Sequence, residues 1–219
     1  ERPQGRLPSS KDPLAPQVRL VQHADVRRLL LAQKAYAEGA MAMSLYAASL
    51  FEDQHSHPDA DARHEAELLL DILTPVVKSW PSTYGCVSND MAIQILGGSG
   101  YTRDYLLEQL YRDQRLNPIH EGAEAIHALD LLGRKVVMQS GAAYQLFRKA
   151  VNSTLAQAEG VSELAALTAG FAKPLARLDD VTRLLVELQK IDPDRALANA
   201  NLYLDAFGRI TAAWIWLKQ

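Results

Sequence analysis

Apolar residues return every three to four positions along most of the chain, and nowhere alternate with polar ones for long enough to make a strand. With Asp25 as its cap, a first long helix carries Leu29, Leu30, Tyr36, Ala40, Met43, Ala47 and Leu50 on one face and runs to about Phe51. Residues 52–58 read as a polar linker. A second helix over 59–80 buries Leu68, Leu69, Ile72, Leu73 and Val76, is perturbed near Pro75 and is stopped by Pro81. A third, over 82–96, ends at Gly97-Gly98. A short helix around 106–112 leads into an extended approach through Asn117-Pro118, and a fifth helix opens at Glu121 and buries Ile126, Leu129, Leu132 and Val136.

Beyond Met138 the pattern predicts three more helices, over about 140–158, 162–190 and 193 to the end, with Pro174 as a kink or break in the second. Leu164, Leu167, Phe171, Leu175, Leu184, Leu185 and Leu188 are the expected core there. Trp214 and Trp216 anchor either a subunit interface or the docking of the last helix on its own core. The class is therefore all-α, an antiparallel helical bundle favoured by short connections, with a helical C-terminal extension. The bundle is assigned to 1–138 and the extension to 139–219. Residues 1–22, with Pro3, Pro8, Pro13 and Pro16 among polar neighbours, read as an extended arm.

Composition narrows the function classes. A net charge of −3 over 219 residues, with no dense Lys/Arg block, argues against nucleic acid or a membrane surface as the main partner. The longest uncharged run is about a dozen residues, around 39–51, and a bilayer needs roughly 20. Cys86 has no second cysteine to pair with and no basic-apolar leader opens the chain, so the expected compartment is a reducing cytoplasm.

Two features carry chemistry. QILGGSG, residues 94–100, ends a helix in consecutive glycines, which either simply stop the helix or let a phosphate approach the backbone closely. Glu121, followed by Gly122, either stabilises the helix it opens or serves as a base. The helix dipole favours its ionised form and burial would raise its pKa.

Taken in order, these pieces resemble the C-terminal helical domain of the acyl-CoA dehydrogenase family. The family pattern is Gln-x-x-Gly-Gly-x-Gly-Tyr/Phe, then Arg-Asp, then Ile-Tyr-Glu-Gly-Thr opening a helix. Here it stands as Gln94-Ile95-Leu96-Gly97-Gly98-Ser99-Gly100-Tyr101, Arg112-Asp113 and Ile119-His120-Glu121-Gly122-Ala123. Arg2-Pro3-Gln4-Gly5 is similar to the family's Arg-x-Gln-Phe-Gly with one residue missing. Similarity covers residues 1 to about 138, and the tail resembles the extension of larger bacterial members.

That resemblance implies α,β-desaturation of an acyl-CoA thioester coupled to FAD reduction. It places Glu121 as the base taking the α-proton and Gly122 against the substrate. Arg2, Gln4, His23, Gln94, Gly97 and Gly98 fall on cofactor-binding positions, while Ala123 and Ala125 border the cofactor through their backbone. It further implies electron transfer flavoprotein as oxidant and a homodimer or homotetramer. Ala123 and Ala125 depart from the family's Thr and Gln and remove side-chain hydrogen bonds to FAD, and His120 replaces a Tyr. The domains and bundle helix that build the rest of the family's pocket lie outside these residues, so the isolated chain is expected to be inactive.

Two other readings compete with this one. A helical module without catalysis, kept for oligomerisation, would need neither Glu121 nor Gly122. A di-metal bundle is suggested by Glu52-x-x-His55 and Glu124-x-x-His127, the i,i+3 spacing of di-iron ligands. The group Asp53, His55, His57, Asp59, Asp61 and His64 has the composition of a metal cluster, but also that of a solvated linker with helix caps. No residue is assigned as a metal ligand.

Overall fold

The computed structural model describes residues 3–120 and 123–219. Its described residues form helices α1 (Ala24–Ser56), α2 (Ala60–Leu96), α3 (Leu107–Gln114), α4 (Glu124–Asp130), α5 (Ala142–Ala158), α6 (Ala165–Ile191), α7 (Pro193–Leu197) and α8 (Ala200–Lys218). Among these residues the only strand-like pairing is an isolated bridge between Pro3 and Arg19. The chain divides into two compact units, Glu1–Glu38 with Ser82–Asn117 and Gly39–Pro81 with Pro118–Gln219.

In the first unit the arm is folded back on itself instead of extended. Gln4 N–H donates to the Val18 carbonyl at 2.8 Å and Val18 N–H to the Gly5 carbonyl at 3.0 Å, with Gly5 at φ +69° making the bend. Asp25 lies inside the first turn of α1, ion-paired with Arg28 at 2.8 Å, and is not the cap. Tyr36 and Tyr84 pack with ring centroids 4.7 Å apart. After α3 the backbone makes turns closed by Leu116 N–H to Asp113 and Asn117 N–H to Gln114, so the expected extended approach is absent there. Those turns satisfy carbonyls that the end of α3 would otherwise leave unpaired.

The predicted linker over 52–58 is mostly helix. His55 Nδ1 donates to the Phe51 carbonyl at 2.8 Å and Ser56 Oγ to the Glu52 carbonyl at 2.9 Å, so side chains satisfy the last carbonyls of α1. The two helices expected either side of Pro81 are one, α2, which runs through Pro75 and Pro81. A helical proline costs about 3 kcal/mol. Against it, Ile72, Leu73, Val76 and Trp80 are all buried on this stretch, each side chain stabilising by roughly 1.5–3 kcal/mol. Thr74 and Ser79 hydroxyls bond back to the carbonyls of Leu70 and Pro75, both at 2.7 Å, an arrangement that eases local bending. α6 likewise continues across Pro174, with Phe171, Leu175 and Leu178 buried around it.

The core of the second unit is centred on α8, whose Tyr203, Leu204, Phe207, Thr211, Trp214 and Ile215 are almost inaccessible. Trp214 docks on its own core, edge-on to Tyr46 at 5.3 Å and Phe147 at 5.6 Å, whereas Trp216 is 37% exposed. Of the expected core, Leu30, Leu167 and Leu184 are exposed. α4 also buries a different face. Ile126 is 58% and Leu129 43% exposed, while Ala128, Leu131, Leu132, Lys135 and Val136 are inside. Residues Leu131–Lys135 form a π turn, whose extra residue shifts the buried stripe away from a strict 3.6 period. Gln139, Ser140 and Gly141 then have φ of 47°, 57° and 85°, which delays α5 to Ala142.

Candidate functional site

α2 ends at Leu96, and Gly97 turns left-handed at φ +59° to begin the tight turn Gly97–Tyr101. The glycines here have different reasons to be glycine. Gly97 is required by its φ. At Gly100 an added Cβ would stand 2.8 Å from the Ile93 carbonyl, so this glycine is required by packing. Gly98 has neither constraint: its φ is not left-handed, a Cβ there would meet nothing within 4 Å, and it is exposed. Gln94 is exposed on the preceding turn.

The same unit holds Gln4 and His23, which the structure brings together. His23 Nε2–H donates to the Gln4 carbonyl at 2.7 Å, and the ring covers Gly5. His23 therefore fastens the arm to the start of α1, and in the neutral ring Nδ1 is left as an acceptor. Arg2 lies outside the described residues.

Beside the glycine turn, Asp90, Ile93, Tyr101, Arg103, Glu108, Tyr111, Arg112 and Arg115 line an open cleft of about 740 Å³. Its three guanidiniums outnumber its two carboxylates. Arg115 was not singled out by the motif, though its i,i+3 spacing from Arg112 puts both on one face of the chain there. Burial pushes the nearby Cys86 thiol up, and the Arg115 charge partly opposes that.

In the second unit Ala123 is the N-cap of α4, at φ −60° and ψ 155°, and Ala123 and Ala125 are both exposed. With a methyl at the cap, the cap side chain itself accepts nothing from the first N–H groups. Glu121 and Gly122 lie outside the described residues.

Several of the candidate metal-type residues act as caps and surface pairs. Asp59 Oδ1 accepts from Asp61 N–H at 2.9 Å, His57 Nδ1 accepts from Asp59 N–H at 3.2 Å, and His64 faces Glu67 at 3.3 Å. Among the described residues no group of three or more His, Cys, Asp or Glu side chains could hold a metal ion.

Residues 10–137 match the family model for the acyl-CoA dehydrogenase C-terminal domain. The chain belongs to the acyl-CoA dehydrogenase family. Residues 147–219 of this acyl-CoA dehydrogenase chain match a second model, described as acetyl-CoA dehydrogenase C-terminal like. The chain is 34% identical over 205 residues to 3-methylmercaptopropionyl-CoA dehydrogenase of Ruegeria pomeroyi, covering 90% of this chain and 34% of the relative. It is 39% identical over 142 residues to the broad-specificity linear acyl-CoA dehydrogenase FadE5 of Mycobacterium tuberculosis, covering 63% and 23%. Its fold is shared with Caenorhabditis elegans ACDH-11, solved in complex with C11-CoA, at a TM-score of 0.70 and 21% identity over 90% of this chain and 32% of the other. The chain thus spans about a third or less of the length of the relatives it matches. Among the described residues no helix is long and apolar enough to cross a membrane.

Proposed function

We propose that this chain is the C-terminal part of an FAD-dependent acyl-CoA dehydrogenase, in which Glu121 removes the α-proton of an acyl-CoA thioester. The observation that carries the reading is the matched family domain together with a glycine, Gly98, that the fold itself does not require. A backbone left bare beside an exposed glutamine suits close approach of a cofactor's phosphate end, so the residues present fit FAD.

Bound FAD supplies the acceptor for the hydride leaving the β-carbon. The chain's own residues do the rest. Gln94, Gly97 and Gly98 hold the adenine and pyrophosphate end of the cofactor, contributed to a neighbouring subunit. Arg2 meets the pyrophosphate, while Gln4 and His23 keep the arm in place beside it. Ala123 and Ala125 border the cofactor through backbone groups, so flavin affinity relies on fewer side-chain bonds than in relatives with polar residues there. Glu121 takes the proton, and its own N–H donates to the thioester carbonyl as negative charge develops there. Gly122 leaves room for the thioester. Electron transfer flavoprotein would serve as the electron-accepting partner, the assembly is a homodimer or homotetramer, and the site works in a reducing cytoplasm. Bundle and extension meet near residue 138, a division supported by the limits of the two family matches.

The test is spectroscopic. In the complete enzyme Glu121→Gln retains bound flavin and loses its bleaching under acyl-CoA, by at least about 10²-fold if general-base removal has its usual weight. Flavin reduction at the wild-type rate in that variant would place the base elsewhere. A protein that stays colourless with added FAD would favour the non-catalytic helical module.

A further inference from the structure

We infer that Gln189, in the C-terminal extension, is a positioning residue for the helix that follows Glu121, and that it acts by holding the backbone carbonyl of Leu132. The inference rests on Glu121 being the base. α4 has only seven residues and no side-chain cap, so it cannot hold its own place, and packing must do so. It runs directly into the π turn Leu131–Lys135, closed by Val136 N–H donating to the Leu131 carbonyl five residues back at 2.9 Å. Turns of this kind are rare and cluster at functional sites.

Leu131 and Leu132 of this turn are fully buried, and among the described residues three further contacts reach it from other elements of the second unit. Gln189 Nε2–H of α6 donates to the Leu132 carbonyl at 3.0 Å. Gly133 lies under Leu197 of α7, where an added Cβ would meet Leu197 Cδ2 at 3.4 Å. Lys135, 8% exposed, donates to Asp71 of α2 at 2.6 Å. Two of the three come from the extension, and only Gln189 grips the backbone by a hydrogen bond. A slip of one residue between α-helical and π-helical registers would move α4 by about 1.5 Å along its axis and about 100° around it. Misplacement of a reacting group by about 1 Å can cost roughly 10²-fold in rate. The amide of Gln189 opposes that slip by fixing one carbonyl, alongside the buried side chains of Leu131 and Leu132.

The experiment uses the flavin-loaded dehydrogenase that carries this chain, with whichever of butyryl-CoA and palmitoyl-CoA bleaches the wild type. Gln189→Met keeps the side-chain size and removes the donor. It is expected to lower the limiting rate of flavin reduction about tenfold with flavin content and half-saturating acyl-CoA unchanged, the signature of a lost transition-state placement. Gln189→Lys, which retains a donor, should restore the rate to within about twofold. Amide hydrogen exchange over 124–137 should quicken in the Met variant relative to α5. An unchanged reduction rate, an equal loss in the Lys variant, or unaltered exchange over 124–137 would each overturn the inference. Glu121→Gln measured alongside separates the two claims: reduction retained there removes the base assignment and this inference with it, whereas a silent Gln189→Met removes this inference alone.

Discussion

The indole of Trp214 donates through Nε1 to the hydroxyl of Thr154 at 2.9 Å, joining α8 to α5 inside the most buried part of the second unit. The same hydroxyl donates back to the Ala150 carbonyl at 3.2 Å, so one threonine satisfies the only polar atom of a tryptophan side chain that is 1% exposed. Thr154→Val would leave the indole N–H buried without an acceptor, at a cost of about 1–3 kcal/mol. Trp214→Phe, which also removes ring volume, should cost more. Urea denaturation of both single variants and the double variant would check this, with the double costing less than the sum because the pair acts together.

Glycine positions predict opposite signs for one substitution. At Gly208 of α8 a methyl would stand 2.6 Å from Trp80 Cδ1 and 3.3 Å from Cγ, a buried ring with little freedom to move. Gly208→Ala is expected to destabilise by about 1–3 kcal/mol. Gly170 sits exposed in α6 with nothing within 4 Å of an added Cβ, so Gly170→Ala should stabilise by roughly 0.5–1 kcal/mol. The comparison needs only thermal melts.

Gly98 separates folding from cofactor binding. Because its Cβ space is empty and its φ is not left-handed, Gly98→Ala should leave the melting temperature of the cofactor-free protein unchanged. If FAD lies against that backbone, the same change weakens it by about tenfold, equivalent to about 1.4 kcal/mol. Gly97→Ala serves as the contrast. Its φ of +59° makes it cost stability itself, by roughly 1–2 kcal/mol. FAD titration followed by fluorescence quenching distinguishes the two.

Alkaline stability should be limited by buried phenols. Burial, and then the charge of Asp53, push Tyr46 from 10.0 up to about 12. Burial also raises Tyr144 and Tyr203, the first helped by its bond to Asp179 and both opposed by their hydrogen bonds with the Thr182 hydroxyl. Below 10 these groups are neutral whether the chain is folded or not, and their contribution to stability is complete. Above 10 the unfolded chain ionises first, so stability falls as pH rises through the folded value. Urea midpoints should therefore drop between about pH 10 and about pH 12, with a shallower fall in Tyr46→Phe. An identical slope in that variant would mean that Tyr46 ionises freely in the folded protein.

Periodicity made the helices legible wherever one face is buried throughout, as with Leu68, Leu69, Ile72, Leu73 and Val76 in α2. It failed where local rules met tertiary packing. Pro81 reads as a stop because it removes an N–H, yet buried side chains on both sides carry α2 through it. Ile126 and Leu129 read as core because they lie at helical spacing, but the π turn after Asp130 re-aims the stripe. The candidate site was read from the order of motifs alone. What that order did not contain is which glycine each constraint needs, since φ, a close carbonyl and open space all look the same in one-letter code.

By itself the sequence determined the all-α class, most of the helix-forming segments and the linear motif of glycine turn, Arg-Asp and Glu121-Gly122, because all of these depend on residues near one another in the chain. Only the tertiary structure decided that the last helix is core, that His23 is fastened to Gln4, and that Gln189 holds the carbonyl of Leu132 from 57 positions away. Such pairings arise from burial shared between distant segments, and no local pattern encodes which segment will supply the other half.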